Sequence, residues 1–491
     1  MQNDQRHDFQ LFSFAEFVFL SVFFIALLTG PQMLSIDSDL GRHLVLGDYI
    51  LDNSTIPTRN ILSFTLDGEP RPPYEWLAQM LFALAHRLLG LDGVILLTAT
   101  LIGFTFAILF QHTNDRNKSP LIACILVFLA VAAASIHWLP RPHIVTIFLL
   151  VIWIDRLERL RREETSRLFA FPLIMLFWAN LHGGFIFGFL AWGAYLTGWL
   201  WEKLRGTASS QAGRNLFLAG MYSLAASILT PDLWRSWEAV LNNRSTYILS
   251  RTAETMPPVL TDPTILPFTV LLLLTILLFS INWRILPPSH LFLLGGLGFI
   301  SLLMARTIPL FAVAAVPILG ELLQKSLARF NFWSHIEDRF AGFRTNERMS
   351  LIAFIPVLLA VMYFASYNRK NHLSIHEFSP QTFPVQAVDW LEENPQPGNM
   401  FNEFNWGGYL LYRLWPQQKV FLDSQSDFYG EPLMREYETI ILAQGNWRIL
   451  LEKYDVAWVI IPPGLPIAAE LKKEDWIPRY EDETTVILVK K

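Results

Sequence analysis

The stretch LSIDSDLGRHLVLGDYILDN, residues 34–53, follows a strongly apolar run and places four ionisable side chains within seven residues. Those side chains are Asp37, Asp39, Arg42 and His43. A helix that begins near Asp39 would place His43 one turn further on, and three leucines would form an apolar stripe. The stretch therefore predicts an amphipathic helix on a membrane surface, with an acidic pair where the helix begins.

The composition of the whole chain is typical of a protein that lies in a lipid bilayer. Of its 491 residues, 52% are hydrophobic and 16% are charged, whereas a soluble globular domain has about 25% charged residues. The net charge of −5 gives no indication of a nucleic-acid partner. The single cysteine, Cys124, excludes an internal disulfide and a cysteine zinc cluster. We expect a multi-pass integral membrane protein.

The apolar stretches predict about 11 to 13 transmembrane helices, since a span needs about 20 apolar residues. The first stretch, at about 13–30, has no signal-peptide cleavage site after it and is interpreted as a retained signal-anchor helix. The loop at 155–167 carries five arginines and is predicted to be cytoplasmic. Counting crossings from this loop places the following segments on the opposite side: 31–74, 137–141, 182–184, 230–263, Arg306 and everything after 368.

One segment conflicts with this count. Residues 75–111 must make one net crossing of the membrane, yet they contain two apolar stretches that each predict a helix. One of the two helices would then lie in the membrane interface, or the pair would be unusually tilted. The sequence leaves both arrangements open.

The composition changes after residue 368, where strand-like and helix-like segments alternate. NMFNEF, KVFLD, VAWVII and TTVILV predict short strands. VQAVDWLEE, EPLMREYETIILA and NWRILLEKY predict helices. This alternation predicts a small α/β domain. We therefore expect a transmembrane domain at 1–370, with its first extracytoplasmic loop at 31–74, and a soluble extracytoplasmic domain at 375–491.

The acidic pair of the opening stretch is the first candidate site. Asp37 and Asp39 could act as a general base, or they could hold a divalent cation against a phosphate. The plainer alternative is that both are ordinary helix-capping or solvated loop residues.

Ionisable residues at the predicted outer ends of the spans form the second group of candidates. They are Arg42, His43, Arg71, Glu75, Arg141, His143, His182, Glu254 and Arg306. Arginine suits bidentate phosphate binding, and ionisable groups at membrane depth are often functional. The alternatives are structural: Glu75 can mark a helix start, Arg141 can extend to the interface, and His182 can be a hydrogen-bonding core residue. No P-loop, HExxH, GxSxG or Rossmann fingerprint is present, so ATP-driven transport, zinc proteolysis and serine hydrolysis by the common routes lack support.

The layout resembles the GT-C superfamily of polytopic glycosyltransferases, in which the first extracytoplasmic loop carries a key acidic residue. Here the matching loop is 31–74, and the matching acids are Asp37 and Asp39. RPPYEW, residues 71–76, is similar to the start of the second span in the protein-mannosyltransferase and aminoarabinose-transferase branch. The chain lacks the Trp-Trp-Asp-type motif of oligosaccharyltransferases, and its 137–143 turn is basic where a second acidic motif would stand.

The resemblance implies a membrane glycosyltransferase that moves a sugar from a polyprenyl-phosphate-linked donor to an extracytoplasmic acceptor. An aspartate would take the proton of the acceptor hydroxyl in an inverting displacement, and Arg or His groups would stabilise the leaving lipid phosphate. It implies a bacterial inner-membrane protein whose C-terminal domain lies outside the cytoplasm. The sugar, the acceptor and a divalent cation on Asp37 and Asp39 stay open.

Two alternatives come from other functional classes. A transporter or flippase of lipid-linked sugars should show repeats or broken helices in matching halves, and the sequence has no such repeat. A non-catalytic membrane assembly protein would use its outer domain to recruit partners. That interpretation gains if Asp37 and Asp39 prove replaceable.

Overall fold

The computed structural model describes residues 13–164, 167–242, 245–340, 354–371 and 374–491. Residues 165–166 of the predicted cytoplasmic loop therefore lie outside the described residues. Up to residue 371 the described chain is helical. The helices are α1 (Phe14–Leu28), α2 (Gly30–Ile36), α3 (Leu40–Asn53), α4 (Trp76–Asn117), α5 (Pro120–Ala134), α6 (His143–Arg161), α7 (Ala170–Leu181), α8 (Ile186–Leu204), α9 (Ser210–Ser227), α10 (Arg235–Asn242), α11 (Thr246–Leu249), α12 (Leu266–Asn282), α13 (Pro288–Leu303), α14 (Ile308–Leu327), α15 (Asn331–Phe340) and α16 (Phe354–Asn371).

The helices confirm a multi-pass integral membrane protein. Four stretches of the described chain are long and apolar enough to cross a membrane, and the bent pair α1 and α2 makes a fifth when it counts as one span. The four are Trp76–Asn117, Pro120–His137, Gly183–Leu204 and Ala305–Leu327. Helices α7, α12 and α13 are apolar but shorter. The number of 11 to 13 crossings stays a prediction.

Helix α4 accounts for the conflict in the crossing count. Two helical arms, 76–88 and 91–117, meet at Leu89 and Gly90, where the backbone is not helical; Gly90 has a φ of +63°, which residues other than glycine rarely adopt. The Asn368 side chain of α16 donates to the Leu89 carbonyl at the bend. The arm before the bend, 76–88, is about 20 Å long at 1.5 Å per residue, too short for a hydrocarbon core of about 30 Å. Both predicted helices are therefore present, and together they count as one candidate membrane span.

The opening stretch forms helix α3, which begins after Asp39 as its sequence predicts. The helix packs against the first arm of α4 on one side and against the C-terminal domain on the other. Arg42 and His43 are consequently buried. The helix is therefore amphipathic, but its polar face is covered by protein.

The C-terminal part is a small α/β domain, as predicted, and its boundary stays a prediction. Its strands are β1 (Asn399–Asn402), β2 (Val456–Ile461), β3 (Ile477–Glu481) and β4 (Val486–Val489). Its helices are α17 (Val385–Glu393), α18 (Gly407–Leu414), α19 (Ser426–Ile441), α20 (Trp447–Lys453) and α21 (Pro466–Lys473). The sheet order is β1-β2-β4-β3, with β1 and β2 parallel and the other two pairs antiparallel.

Two strand predictions for this domain differ from the structure. KVFLD is not a strand of the sheet, because Val420 exchanges backbone hydrogen bonds with Leu62 and Phe64 of the first loop instead. Strand β3 is absent from the prediction, because Pro478 and its charged neighbours interrupt the apolar pattern. Such a sequence is tolerated because β3 lies at the edge of the sheet.

Candidate active site

A polar cavity of about 350 Å³ lies where helix α3, the starts of α4 and α6, and several loops meet. Its charged and imidazole-bearing lining residues are Asp39, Arg42, His43, Glu75, His137, Arg141, His143, His182, Glu254, Arg306 and Asp427. Nine of the eleven site residues predicted from sequence are among them. The other two lie close by: Asp37 is buried behind Asp39, and Arg71 lines a smaller neighbouring pocket.

The acidic pair of the first loop is held by one guanidinium. Arg141 Nε donates to Asp37 Oδ1 at 2.8 Å, and Arg141 Nη1 lies 2.8 Å from Asp39 Oδ2. Asp37 Oδ1 also accepts from the backbone nitrogens of Asp39 and Leu40, at 2.8 and 3.1 Å. Asp37 is 1% exposed, so it acts on the cavity only through the loop and the guanidinium that it holds.

The two carboxyls differ in their electrostatic surroundings. Burial raises the pKa of Asp37 above its usual value, although Arg141 opposes this. Burial also acts to raise the pKa of Asp39, but the charges of Arg141 and Arg42 outweigh it and hold that pKa well below its usual value. Asp39 is therefore the ionised carboxylate that faces the cavity.

The contacts of Asp37 and Asp39 indicate whether these two carboxylates could bind a divalent cation. Arg141 engages one oxygen of each carboxylate and places its positive charge between them, and a cation would also need further oxygen or nitrogen ligands. Among the described residues, no group of three or more His, Cys, Asp or Glu side chains is placed to hold a metal ion. The donor set therefore does not fit a cation on Asp37 and Asp39, and the mechanism proposed for this site uses none.

Glu75 faces the cavity from the position before the first residue of α4. Its carboxylate lies 3.9 Å from His43 Nδ1, 4.0 Å from Arg42 Nη1 and 3.7 Å from His182 Nε2. Burial raises the pKa of Glu75 to about 7, despite the opposing charge of Arg42. A carboxyl with that pKa can exchange a proton near neutral pH.

Three further histidines, His137, His143 and His182, line the cavity. The rings of His137 and His143 lie 4.1 Å apart, and His143 Nε2 lies 2.7 Å from the His137 carbonyl oxygen. The Gly184 backbone N–H donates to His182 Nδ1 at 3.1 Å. The proton of a neutral His182 ring therefore resides on Nε2, which faces Glu75.

Two further predicted residues complete the cavity. Glu254 lies 3.5 Å from His137 Nδ1 and 3.8 Å from Arg141 Nη1. Arg306 lines the cavity at the start of α14, and within the described part of the chain it has no ion pair or side-chain hydrogen bond. Its guanidinium is therefore available to an anion, unlike Arg42 and Arg141, which face carboxylates.

The C-terminal domain contributes lining residues that the sequence did not single out as functional. Ser424 and Gln425 lie in the cavity wall, and Asp427 presents an exposed carboxylate to it. No local pattern marks this segment, because its partners are more than 350 residues away in the chain.

Comparisons with known proteins find the fold but no sequence relative. No family model matches the chain, and no curated protein matches it. The oligosaccharyltransferase AglB of Archaeoglobus fulgidus, solved with an inhibitory peptide and a dolichol-phosphate, superposes with a TM-score of 0.63 at 13% identity, over 91% of this chain and 69% of that one. The oligosaccharyltransferase of the same organism tethered to an acceptor peptide gives 0.58 at 12% identity, over 96% and 74%.

A smaller membrane enzyme shows the same likeness over nearly its whole length. ArnT of Cupriavidus metallidurans in the apo state gives a TM-score of 0.50 at 12% identity, over 96% of this chain and 97% of that one. Identities this low establish architecture alone. The protein therefore has the fold of the GT-C membrane glycosyltransferases, which its first loop and its RPPYEW segment resemble.

Proposed function

We propose that the protein is a membrane glycosyltransferase that moves a sugar from a polyprenyl-phosphate-linked donor to an acceptor hydroxyl outside the cytoplasm. The observation that carries the proposal is one cavity that combines the ionised carboxylate of Asp39 with the guanidinium of Arg306, which has no ion-pair partner in the described ranges of the chain. A carboxylate suits the acceptor side of such a transfer, and an unpaired guanidinium suits the leaving phosphate. AglB, which shares the fold, was solved with a dolichol-phosphate.

The remaining wall of the cavity suits a lipid-linked donor. It includes apolar side chains from helices that belong to the membrane part of the chain. They are Ile147 of α6, Ile186 and Phe187 of α8, and Leu310 of α14. The donor phosphate would lie near Arg306 and the histidines, and the first isoprene units would follow this apolar wall.

The proposed reaction is a single inverting displacement. The acceptor oxygen forms a bond to the anomeric carbon while the bond from that carbon to the donor phosphate oxygen breaks. The leaving phosphate takes the electron pair and is stabilised by Arg306. The ionised Asp39 accepts a hydrogen bond from the acceptor hydroxyl and orients it, and the acceptor proton passes to Glu75, whose pKa of about 7 suits a base near neutral pH. Asp37 is a positioning residue, since it fixes the loop and Arg141 but does not line the cavity.

Several loops meet at the cavity, and this supports the proposed orientation of the chain in the membrane. The loops around residues 39, 141, 182, 254 and 306 were all predicted to lie on the non-cytoplasmic side, and all of them reach this cavity. The C-terminal domain reaches it as well. We therefore propose that the chain lies in a bacterial inner membrane, with the cavity and the C-terminal domain on the side away from the cytoplasm.

The test replaces Asp39 by Asn, which keeps the size but removes the negative charge. Misplacing a reacting group can cost about 10²-fold in rate, so glycan product in the cell envelope should fall by at least that factor while expression and thermal unfolding stay normal. Asp48→Asn is the matched control, because Asp48 lies on the same helix, pairs with Arg87 and stays outside the cavity. Near-normal transfer by a folded Asp39→Asn variant would show that the proposed function is wrong.

A further inference from the structure

A five-residue segment of the C-terminal domain enters the cavity. The segment, DSQSD at 423–427, follows the chain that pairs with the first loop and ends at the start of α19. Ser424 Oγ bonds to the Asp39 carboxylate and donates to the Ser38 carbonyl oxygen at 3.1 Å. The carboxylate proposed to act on the acceptor is therefore held in part by the C-terminal domain.

Gln425 connects three side chains that come from the first loop and its end. Its Oε1 accepts from Arg42 Nη1 at 3.3 Å and from Arg71 Nη2, and its Nε2 donates to the Tyr74 hydroxyl at 3.2 Å. Asp423, fully buried beneath it, lies 3.8 Å from Arg42 Nε and 3.6 Å from Arg71 Nη2. One amide thus sets the direction of two guanidinium groups without adding a negative charge.

The domain is fixed in this place by backbone contacts. A Cβ atom on Gly408 of α18 would overlap the carbonyl oxygen of Ser38, and one on Gly41 would overlap the carbonyl oxygen of Gly408. Thr65 Oγ1 also donates to the Phe421 carbonyl oxygen at 2.6 Å. Close approach of two backbones leaves little freedom for the segment that follows.

We propose that the C-terminal domain is a working part of the catalytic site, in which Gln425 is the positioning residue that holds the guanidinium groups of Arg42 and Arg71, so that Arg42 keeps its positive charge at the cavity wall that the donor phosphate approaches. The inference rests on the proposed function, because it assigns a role to the same cavity. Without the amide, the two long arginine side chains would regain rotamer freedom and turn to the nearby carboxylates. Binding of the phosphate would then have to reorder both side chains.

The experiment measures binding of undecaprenyl phosphate to the full chain in nanodiscs. Gln425→Ala should weaken binding about tenfold, the effect of losing a hydrogen bond to a charged group. Gly408→Ala should also weaken binding and should raise amide exchange in residues 423–427, because the domain can no longer seat on α3. Gly464→Ala is the matched control, since a Cβ there meets nothing within 4 Å, and it should bind like the wild type.

The outcomes separate this inference from the proposed function. If the wild-type protein does not bind undecaprenyl phosphate, the proposed donor is wrong. If the wild type binds and Gln425→Ala binds equally well, the positioning role is wrong and the proposed function stands. Should Gln425→Ala fail to fold, Gln425→Asn decides: it keeps a neutral amide, but its shorter side chain draws the acceptor oxygen back from both arginines. It should therefore weaken binding, and unchanged affinity would overturn the inference.

Discussion

Replacing Arg141 by Gln tests whether one guanidinium holds the acidic pair of the first loop. Arg141 contacts Asp37 and Asp39, each at 2.8 Å, and Asp37 is almost completely buried. Removing one partner of a buried ion pair costs about 3–5 kcal/mol, because it leaves an uncompensated charge. We expect a loss of this size in the free energy of unfolding of Arg141→Gln.

A second substitution shows whether the loss of stability comes from the Asp37 charge that Arg141→Gln leaves without a partner. Asp37→Asn removes that charge but can still accept from the backbone nitrogens of Asp39 and Leu40. The Arg141→Gln/Asp37→Asn protein should be more stable than the sum of the single effects by about 0.5–3 kcal/mol, the usual coupling of residues in contact.

The assay is denaturant unfolding of the full chain in detergent, with Arg87→Gln as the control. Arg87 also pairs with two carboxylates, those of Asp48 and Asp52, but its side chain is 38% exposed. Exposed pairs contribute about 0–1 kcal/mol. If Arg141→Gln costs no more than Arg87→Gln, or if the double variant is additive, the guanidinium does not hold the pair as argued.

Three other predictions concern pH, metal and topology. Because the pKa of Glu75 is raised to about 7 from its usual 4.5, the native state keeps this proton at pH values where the unfolded chain has lost it, so the Glu75 contribution to stability falls as pH rises between these values. Glu75→Gln should flatten that part of the stability profile, and an unchanged profile would contradict the assignment. Since Arg141 engages both first-loop carboxylates, transfer in isolated membranes should survive EDTA at constant pH; a loss that Mg²⁺ or Mn²⁺ restores would count against this. In a Cys124→Ala background, an impermeant maleimide should label Ser379→Cys in spheroplasts but Glu164→Cys only after lysis, and the reverse would overturn the orientation.

Much of the fold could be predicted because its determinants are local. Hydropathy alone predicts a membrane protein, and the polar run after the first apolar stretch predicts a helix that begins after Asp39, as observed. The segments VQAVDWLEE and VAWVII correspond to α17 and β2. Helix and strand periodicity is set within a few residues, so one sequence suffices to detect it.

The sequence alone did not decide how the two apolar stretches of residues 75–111 are arranged. Two membrane-spanning helices have the same hydropathy profile as one short helix followed by one spanning helix, and the difference lies in where the non-helical backbone of Leu89 and Gly90 divides the segment. KVFLD has the composition of a strand, yet its backbone bonds go to the first loop. Competition between distant hydrogen-bonding partners is invisible to a local pattern.

The same distinction between local patterns and distant contacts applies to the residues of the site. The sequence by itself determined which residue types stand at the outer ends of the spans, since charge at membrane depth is costly and therefore noticeable. Only the tertiary structure decided that Asp39 faces the cavity while Asp37 supports it and that Arg141 joins the two. It left Arg306 without an ion-pair partner among the residues that the structure describes. It also brought Ser424 and Gln425 to residues more than 350 positions away. Ion pairing and burial depend on which helices pack together, and packing is a property of the whole chain rather than of any stretch within it.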